Sequence, residues 1–412
     1  VSQKYPGGII SKTAPVTVGP VDGEGGSAPG IWTLTQALEL NKQGLWPKPL
    51  IVGELFAWGR NTHGRLGLND TADRSSPVQV GALTAWSKVS AGYRFSAAIK
   101  TDGTLWTWGE GDYGKLGHND TVNRSSPVQV GALTAWSKVS AGWRSSLAIK
   151  TDGTLWTWGR NDYGQLGLND TTNRSSPVQV GALTTWYKVD SYAFSVAIKT
   201  DGTLWSWGKN NFGQLGLNDT VNRSSPVQIG SLTTWAQVSA GAGFCHAIKV
   251  DGTLWAWGYQ YNNVYSSASS YTPLGLNDAV KRSSPVQVGS QTDWSKVSAG
   301  KLHVTALKLN GTLWAWGLNT SGQLGLGNTA NRSSPVQIGA LTNWYINESG
   351  TRQCAAIKTD GTLWMWGNGN YGRLGLNTSV FHSSPVQVGA LNTWVRLATM
   401  ASSQSTFAIK TP

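Results

Sequence analysis

The chain has 412 residues, 39% of them hydrophobic and 13% charged, with 51 glycines, 23 tryptophans, two cysteines and a formal net charge of +12. So few cysteines exclude a disulfide-stapled scaffold, and no apolar run approaches the length of a membrane-spanning helix. The tryptophan and glycine content points to a repeated unit rather than one mixed core.

Residues 1–30 combine many Gly and Pro residues with little apolar patterning, which predicts an extended arm. From Gly30 the text becomes GIWTLTQALELNKQGLWP. Thr33 and Gln36 can form a capping box for a short helix over Leu34 to Gln43, Gly44 can end it, and Pro47 blocks its continuation. Trp32 and Trp46 flank that helix and are candidate partner contacts. The expected division is therefore an assembly arm over 1–51 and a repeat domain over 52–412. The first residue is Val1 rather than Met, which fits processing or an incomplete start, and no signal-peptide pattern is present.

Seven Trp-Gly steps begin at Trp58, Trp108, Trp158, Trp207, Trp257, Trp316 and Trp366, spaced by 50, 50, 49, 50, 59 and 50 residues. A second series comprises Trp86, Trp136, Trp186, Trp235, Trp294, Trp344 and Trp394. A third lies two residues before each Trp-Gly step, with Phe56 standing where the first tryptophan would be. Fixed positions inside strands predict burial between sheets for the two complete series, which removes them as an open stacking platform for bases.

Each unit reads as four short strands. Thr104 to Trp108 is β-branched and aromatic, Ser146 to Lys150 precedes an Asp152-Gly153 hairpin turn, and Trp136 to Ser140 is another strand. Pro127 to Val130 is the fourth, and its proline suits an outer edge. Four antiparallel strands repeated seven times give an all-β, seven-bladed β-propeller with an extended N-terminal arm and short helix. The period starts in mid-unit near Gly53 and stops after Lys410, so N- and C-terminal strands should close the ring in one blade.

The segment SAGWRSSLAIKTDGTLWTWGRNDYGQLGLND, Ser140 to Asp170, resembles the repeat of the regulator-of-chromosome-condensation family. The resemblance covers roughly Leu55 through Lys410 and implies seven-bladed propellers. Where that family often has His after the Gly of the inner strand, this chain has Phe95, Ser145, Phe194, Phe244, His303, Gln353 and Ser403, so only His303 matches. The family includes exchange factors for small GTPases, chromatin binders and inhibitor-like binding proteins. The fold therefore transfers by resemblance, whereas no activity does.

Seven lysines recur from Lys100 to Lys410, usually beside an acidic turn residue, and six arginines from Arg74 to Arg332 precede the Ser-Ser-Pro segment. Spread radially, these cations should tie loops together rather than form a specific nucleic-acid site. Gly109 to Gly114 satisfies GxGxxG, but a strand hairpin follows instead of a phosphate-binding βα unit. Asn-Asp-Thr and Asn-Arg-Ser triplets match glycosylation acceptors only because the repeat contains them. The five histidines show no zinc spacing, and Cys245 and Cys354 read as buried inner-strand residues two blades apart. No catalytic residue, cofactor or metal site is expected, nor membrane insertion.

Tyr259 to Pro273 adds nine residues to one unit. Its Tyr259, Tyr261, Tyr265 and Tyr271, mixed with Asn and Ser, have the composition of an adaptable protein or glycan contact. The GIWTLTQ...LWP element, in turn, is similar to short modules on structural and fibre-like proteins of tailed phages. Together these features suggest a noncatalytic virion-associated decoration or tail-fibre-type protein. Its arm would anchor it to a virion or other large assembly, and its ring would face a host-surface protein or glycan. The alternative is a soluble regulatory or inhibitory protein-binding module, with a guanine-nucleotide exchange factor third.

Overall fold

The computed structural model describes residues 53–412 except Leu83, residues 259–272, Met400 and Ser402. Within these residues, 28 strands form seven four-stranded antiparallel sheets. Blade 1 contains Trp86–Ala91, Phe95–Lys100, Leu105–Gly109 and Arg124–Gln129, in that spatial order. Blades 2 to 6 repeat the pattern, beginning with the strands that start at Trp136, Trp186, Trp235, Trp294 and Trp344. Blade 7 joins the ends of the domain: Trp394–Ala398 and Ser405–Lys410 pair on to Glu54–Gly59 and Arg74–Gln79. The expected closure is therefore observed, with Glu54 to Gly59 in unbroken register against Lys410 to Ser405.

The Trp-Gly step has a steric cause. Gly109 sits at φ +106°, and a Cβ there would lie 2.5 Å from the Arg94 carbonyl oxygen and 2.6 Å from the Phe95 Cα. Only glycine lets the third strand end so close to the start of the second. All seven tryptophans preceding these glycines are fully buried, and the second series is no more than 4% exposed. Members of the two series meet edge to face, as do Trp86 and Trp108 at 6.2 Å. The outer strands carry the prolines, and their ladders break beside them, as expected of an edge position.

The lysine series pairs with acids at Lys308–Asp293 and Lys410–Glu54, as the sequence suggested, and also packs on rings. Asp102 Oδ1 accepts from Thr104 N at 2.9 Å and from Thr104 Oγ1 at 2.7 Å, and Thr104 Oγ1 accepts from Trp106 Nε1 at 2.8 Å. That chain fixes the third-series indole, and the Lys100 ammonium lies 3.8 Å from its ring centroid. The same cation–π contact recurs at 4.1 Å for Lys150 and Trp156, 3.6 Å for Lys199 and Trp205, and 3.7 Å for Lys249 and Trp255. The lysines cover tryptophan faces, while the aspartates shape the turns. The arginine series matches its expected loop role: Arg124, Arg174, Arg223 and Arg282 bridge carboxylates four residues earlier at 2.5–2.7 Å.

Strands of the Trp86–Ala91 type touch their counterparts on both neighbouring blades and so surround the axis. This corrects two placements. Cys245 and Cys354 belong to the second strands, where both are buried and free. The seventh member of the Phe95 series is Ser405, which pairs with Gly59 as Phe95 pairs with Gly109, and not Ser403. The preceding loop departs from its siblings, which hid the register.

Candidate functional site

The residues singled out from sequence as partner contacts, Trp32, Trp46, Tyr259, Tyr261, Tyr265 and Tyr271, all lie outside the described residues. The described structure assembles a different cluster, on the face where the first strand of each blade turns into the second and where the third strand ends.

Neighbouring loops are joined there by their backbones. Tyr93 N donates to Gly142 O at 3.2 Å, and Trp143 N donates to Tyr192 O at 3.1 Å. Equivalent side chains are thereby held side by side. Tyr93 and Trp143 have ring centroids 6.1 Å apart, and Trp143 and Tyr192 stack nearly parallel at 6.3 Å. Arg144 joins this ladder to the adjacent third-strand loop, lying 4.8 Å from the Trp143 ring and 5.0 Å from the Tyr113 ring, with Nη1 donating to the Tyr113 hydroxyl at 2.8 Å. Arg160 packs over the same two rings at 5.4 and 5.1 Å. Lys209 lies 4.9 Å from Tyr163.

Charge on this face is unbalanced. Its loops carry Arg60, Arg65, Arg94, Lys115, Arg144, Arg160, Lys209, Lys301, Arg352 and Arg373 near Glu110, Asp112 and Asp162, while Asp70, Asp73, Asp120, Asp170, Asp219 and Asp278 lie at the far ends of the same loops, five of them paired to the arginine four residues on. Arg65, Lys115 and Arg373 are buried, and the other seven cations reach the surface. Burial, and then Arg60 and Arg94, lower the Arg65 pKa to about 10. Burial followed by Arg352 lowers that of Lys301. The acids are tightly engaged, with Glu110 receiving Lys115 at 2.6 Å and Arg94 at 3.1 Å. Burial alone would raise the Glu110 pKa, but these two cations bring it below the ordinary carboxylate value.

This arrangement has the residue types of a recognition surface. Among the described residues, no group of three or more His, Cys, Asp or Glu side chains could hold a metal ion. His303 is fully buried, bonds through Nε2 to Cys354 Sγ at 3.1 Å, and has its pKa lowered by burial to about 4. Arg, Trp and Tyr are the residues that dominate protein-binding hot spots. Sequence reasoning missed this cluster because its cations recur at only some of the equivalent positions, such as Arg94 and Arg144 but not Ala193 or Gly243. The available signal was the pairing of Tyr93-Arg94 with Trp143-Arg144, immediately before the Phe95 series.

Fold and face together define a propeller that presents clustered arginine and aromatic side chains on the turns of blades 1 to 3. The chain belongs to the Regulator of chromosome condensation (RCC1) repeat family, whose model matches residues 52–99, 102–149, 152–191, 201–248, 310–356 and 360–409. A second model of that repeat matches 86–115, 136–165 and 294–323. No curated protein matches the chain by sequence. Among solved structures, human WBSCR16 is similar with a TM-score of 0.76 at 20% identity, over 88% of this chain and 99% of that one. Prp20p of Saccharomyces cerevisiae, described with its binding to Gsp1p and histones, gives 0.75 at 17% identity over 87% and 92%. Yeast RCC1 (Prp20) bound to Kap60 gives 0.78 at 15% identity over 100% and 96%.

These findings correct the virion expectation. The family and the similar structures are those of RCC1-type proteins, and the partners named for yeast Prp20 are Gsp1p, histones and Kap60. They are not virion or host-surface components. The decoration and tail-fibre reading, its virion location and its assembly and glycan partners are accordingly withdrawn. That reading rested on a stretch of fewer than 25 residues outside the propeller, whereas the family match spans the propeller itself.

Proposed function

We propose that this chain is a noncatalytic regulatory or inhibitory module that binds a partner protein through the face centred on Trp143 and Arg144. One observation carries the reading: the guanidinium groups of Arg94, Arg144 and Arg160 lie against a ladder of Tyr93, Trp143 and Tyr192. Aromatic rings supply contact area at low entropy cost, and the arginines select a partner surface bearing carboxylates. The shared fold of yeast Prp20p, which binds Gsp1p and histones, supports a protein as the bound species. The propeller, residues 52–412, is the proposed binding unit, distinct from residues 1–51.

The Tyr-rich stretch fits the same reading. The third strand of blade 4 ends at Gly258 on this face, and Tyr259 is the next residue. Tyr259, Tyr261, Tyr265 and Tyr271 are therefore proposed to extend the contact surface.

The test is chemical crosslinking in native extract with the wild-type chain and with the Trp143→Ala, Arg144→Glu double variant, whose fold is checked by thermal unfolding. Loss of a crosslinked partner in the folded variant, together with weakening of its capture by salt, is expected. An unchanged set of crosslinked proteins would refute the reading.

A further inference from the structure

The loop that follows the third strand of blade 1 departs from the repeat at two places at once. It opens with Glu110, where the matching positions of blades 7, 2 and 3 hold Arg60, Arg160 and Lys209. Further along it stands Lys115, where blades 2, 3 and 5 hold Gln165, Gln214 and Gln323. Those glutamines close their own loops: Gln165 Oε1 accepts Tyr163 N at 2.9 Å, Gln214 Oε1 accepts Phe212 N at 2.9 Å, and Gln323 Oε1 accepts Ser321 N at 2.8 Å. Lys115 is fully buried and engages two acidic side chains instead.

Its ammonium lies between two carboxylates, each of which turns its second oxygen towards an arginine of the binding face. Lys115 Nζ donates to Glu110 Oε2 at 2.6 Å and to Asp112 Oδ1. Glu110 Oε1 accepts from Arg94 Nη1 at 3.1 Å, and Asp112 Oδ2 lies 3.8 Å from Arg144 Nη1. The same Arg144 nitrogen donates to the hydroxyl of Tyr113, the residue next to Asp112. Without the ammonium these carboxylates would repel each other, and Glu110, whose side chain is 10% exposed, would lose its nearest counter-charge. Arg94 and Arg144 come from different blades, yet both pack on Tyr93, at 4.9 and 5.9 Å from the ring centre. One buried side chain thus reaches both guanidinium groups that cover this ring.

We infer that Lys115 is a positioning residue of the proposed binding face: it braces Glu110 and Asp112, and through them sets where Arg94 and Arg144 present their N–H groups to a partner. The inference rests on that face for its use, whereas the brace belongs to the chain alone. Guanidinium groups already held in place lose less freedom when a partner binds, so the brace lowers the ordering cost of recognition. Arg160 supplies an internal comparison, because its own carboxylate, Asp162 at 2.7 Å, lies outside the brace.

The test applies phenylglyoxal, an arginine-specific reagent, to the full chain and reads the modification rate of each arginine by peptide mass spectrometry. Glu110→Gln should raise the rate at Arg94 alone and Asp112→Asn that at Arg144 alone, each about threefold, the size expected when a partly exposed ion pair is lost. Lys115→Gln, which installs the sibling residue, should raise both, and Lys115→Arg should bring both back towards wild type. Lys115→Met, which keeps the stem and removes the charge, serves if the glutamine variant does not fold. Unchanged rates at Arg94 and Arg144 in the folded Lys115 variants would overturn the inference. So would an equal rise at Arg160, which would mean that the whole face had loosened. Capture of the crosslinked partner should weaken with Lys115→Gln, and unchanged capture alongside raised rates would overturn the positioning role. The rates are read without a partner, so failure of the brace and failure of the binding face are told apart.

Discussion

The carboxylate of Asp190 accepts the backbone N–H of Ala240, one blade further round the axis, at 2.8 Å. Sibling blades make this bond with serine: Ser90 Oγ accepts Ala141 N at 2.9 Å, Ser239 Oγ accepts Ala299 N at 3.0 Å, and Ser298 Oγ accepts Ser349 N at 2.9 Å. A belt of side-chain to backbone bonds thus stitches the inner strands together where no sheet ladder connects one blade to the next. Asp190 is the member with two oxygens, and it also takes Ser191 N at 2.9 Å and Ser140 Oγ at 3.1 Å.

Removing that carboxylate should orphan buried donors on three strands. Asp190→Ala is expected to cost about 2–3 kcal/mol, because each unsatisfied buried donor costs about 1–3 kcal/mol and some will recover a water. Asp190→Ser restores the acceptor that the siblings use, and should cost less than half as much. Urea unfolding of both variants checks this, and equal losses would show that the belt bond contributes little.

Glu348 occupies the matching position on blade 6, where Ser298 Oγ donates to its Oε2 at 3.2 Å. Burial, reinforced by the charge of Asp190 and opposed by the Ser298 bond and Lys296, raises its pKa to about 8. A carboxyl whose folded pKa lies above its unfolded value contributes stability that is complete below the unfolded pKa. That contribution is lost as pH rises through the folded value. The melting temperature should therefore fall as pH rises from the ordinary glutamate range, about 4.5, to about 8, and Glu348→Gln should flatten the fall. Asp190→Asn should move the Glu348 titration to lower pH. A carboxyl-carbon NMR titration that places Glu348 near an ordinary value would refute this account.

The propeller was legible because steric necessity repeats. Gly109 and its six equivalents must be glycine, the first-series tryptophans must fill the space between blades, and the mid-unit start at Gly53 required a shared blade. The roles of charged groups were far less legible. Lys100 lies two positions before the turn residue Asp102 and looks like an ion-pair residue in the text, yet the hairpin folds it over Trp106. Arg144 shows no periodic partner in sequence, since Tyr113 and Trp143 reach it from different loops of the folded ring. Asp190 reads as a turn acid until the inner strand places it in a serine belt. Such roles depend on which strand adjoins which, so they become visible only after the ring closes.

Closure itself can be tested. Ser405–Lys410 is an interior strand of blade 7, bonded on one side to Trp394–Ala398 and on the other to Glu54–Gly59. A chain ending at residue 404 loses both ladders and also the fully buried Phe407, Ala408 and Ile409. It should lack a cooperative thermal transition, because the ring is left with an open blade on each side of the gap. Retention of the wild-type melting temperature would show that the ring is stable without its latch.

Trp58 and Trp158 offer an internally controlled measure of one hydrogen bond. Both are fully buried first-series residues, and each meets a second-series tryptophan at 6.3 Å, Trp394 and Trp136 respectively. Trp158 Nε1 donates to Lys115 O at 2.9 Å, whereas Trp58 Nε1 has no hydrogen-bond partner among the described residues. Replacing either by phenylalanine removes the same ring atoms from closely similar packing, so the cavity terms should nearly cancel between the variants. Trp158→Phe additionally discards a bond, although Lys115 O keeps its donor Ser146 Oγ at 2.8 Å. Trp58→Phe instead relieves a buried N–H that was already unsatisfied. The first substitution should therefore destabilise the ring by about 1 kcal/mol more than the second, measured as the difference in urea midpoints at constant slope. Equal midpoints would mean that Trp58 finds an acceptor of comparable strength in solution.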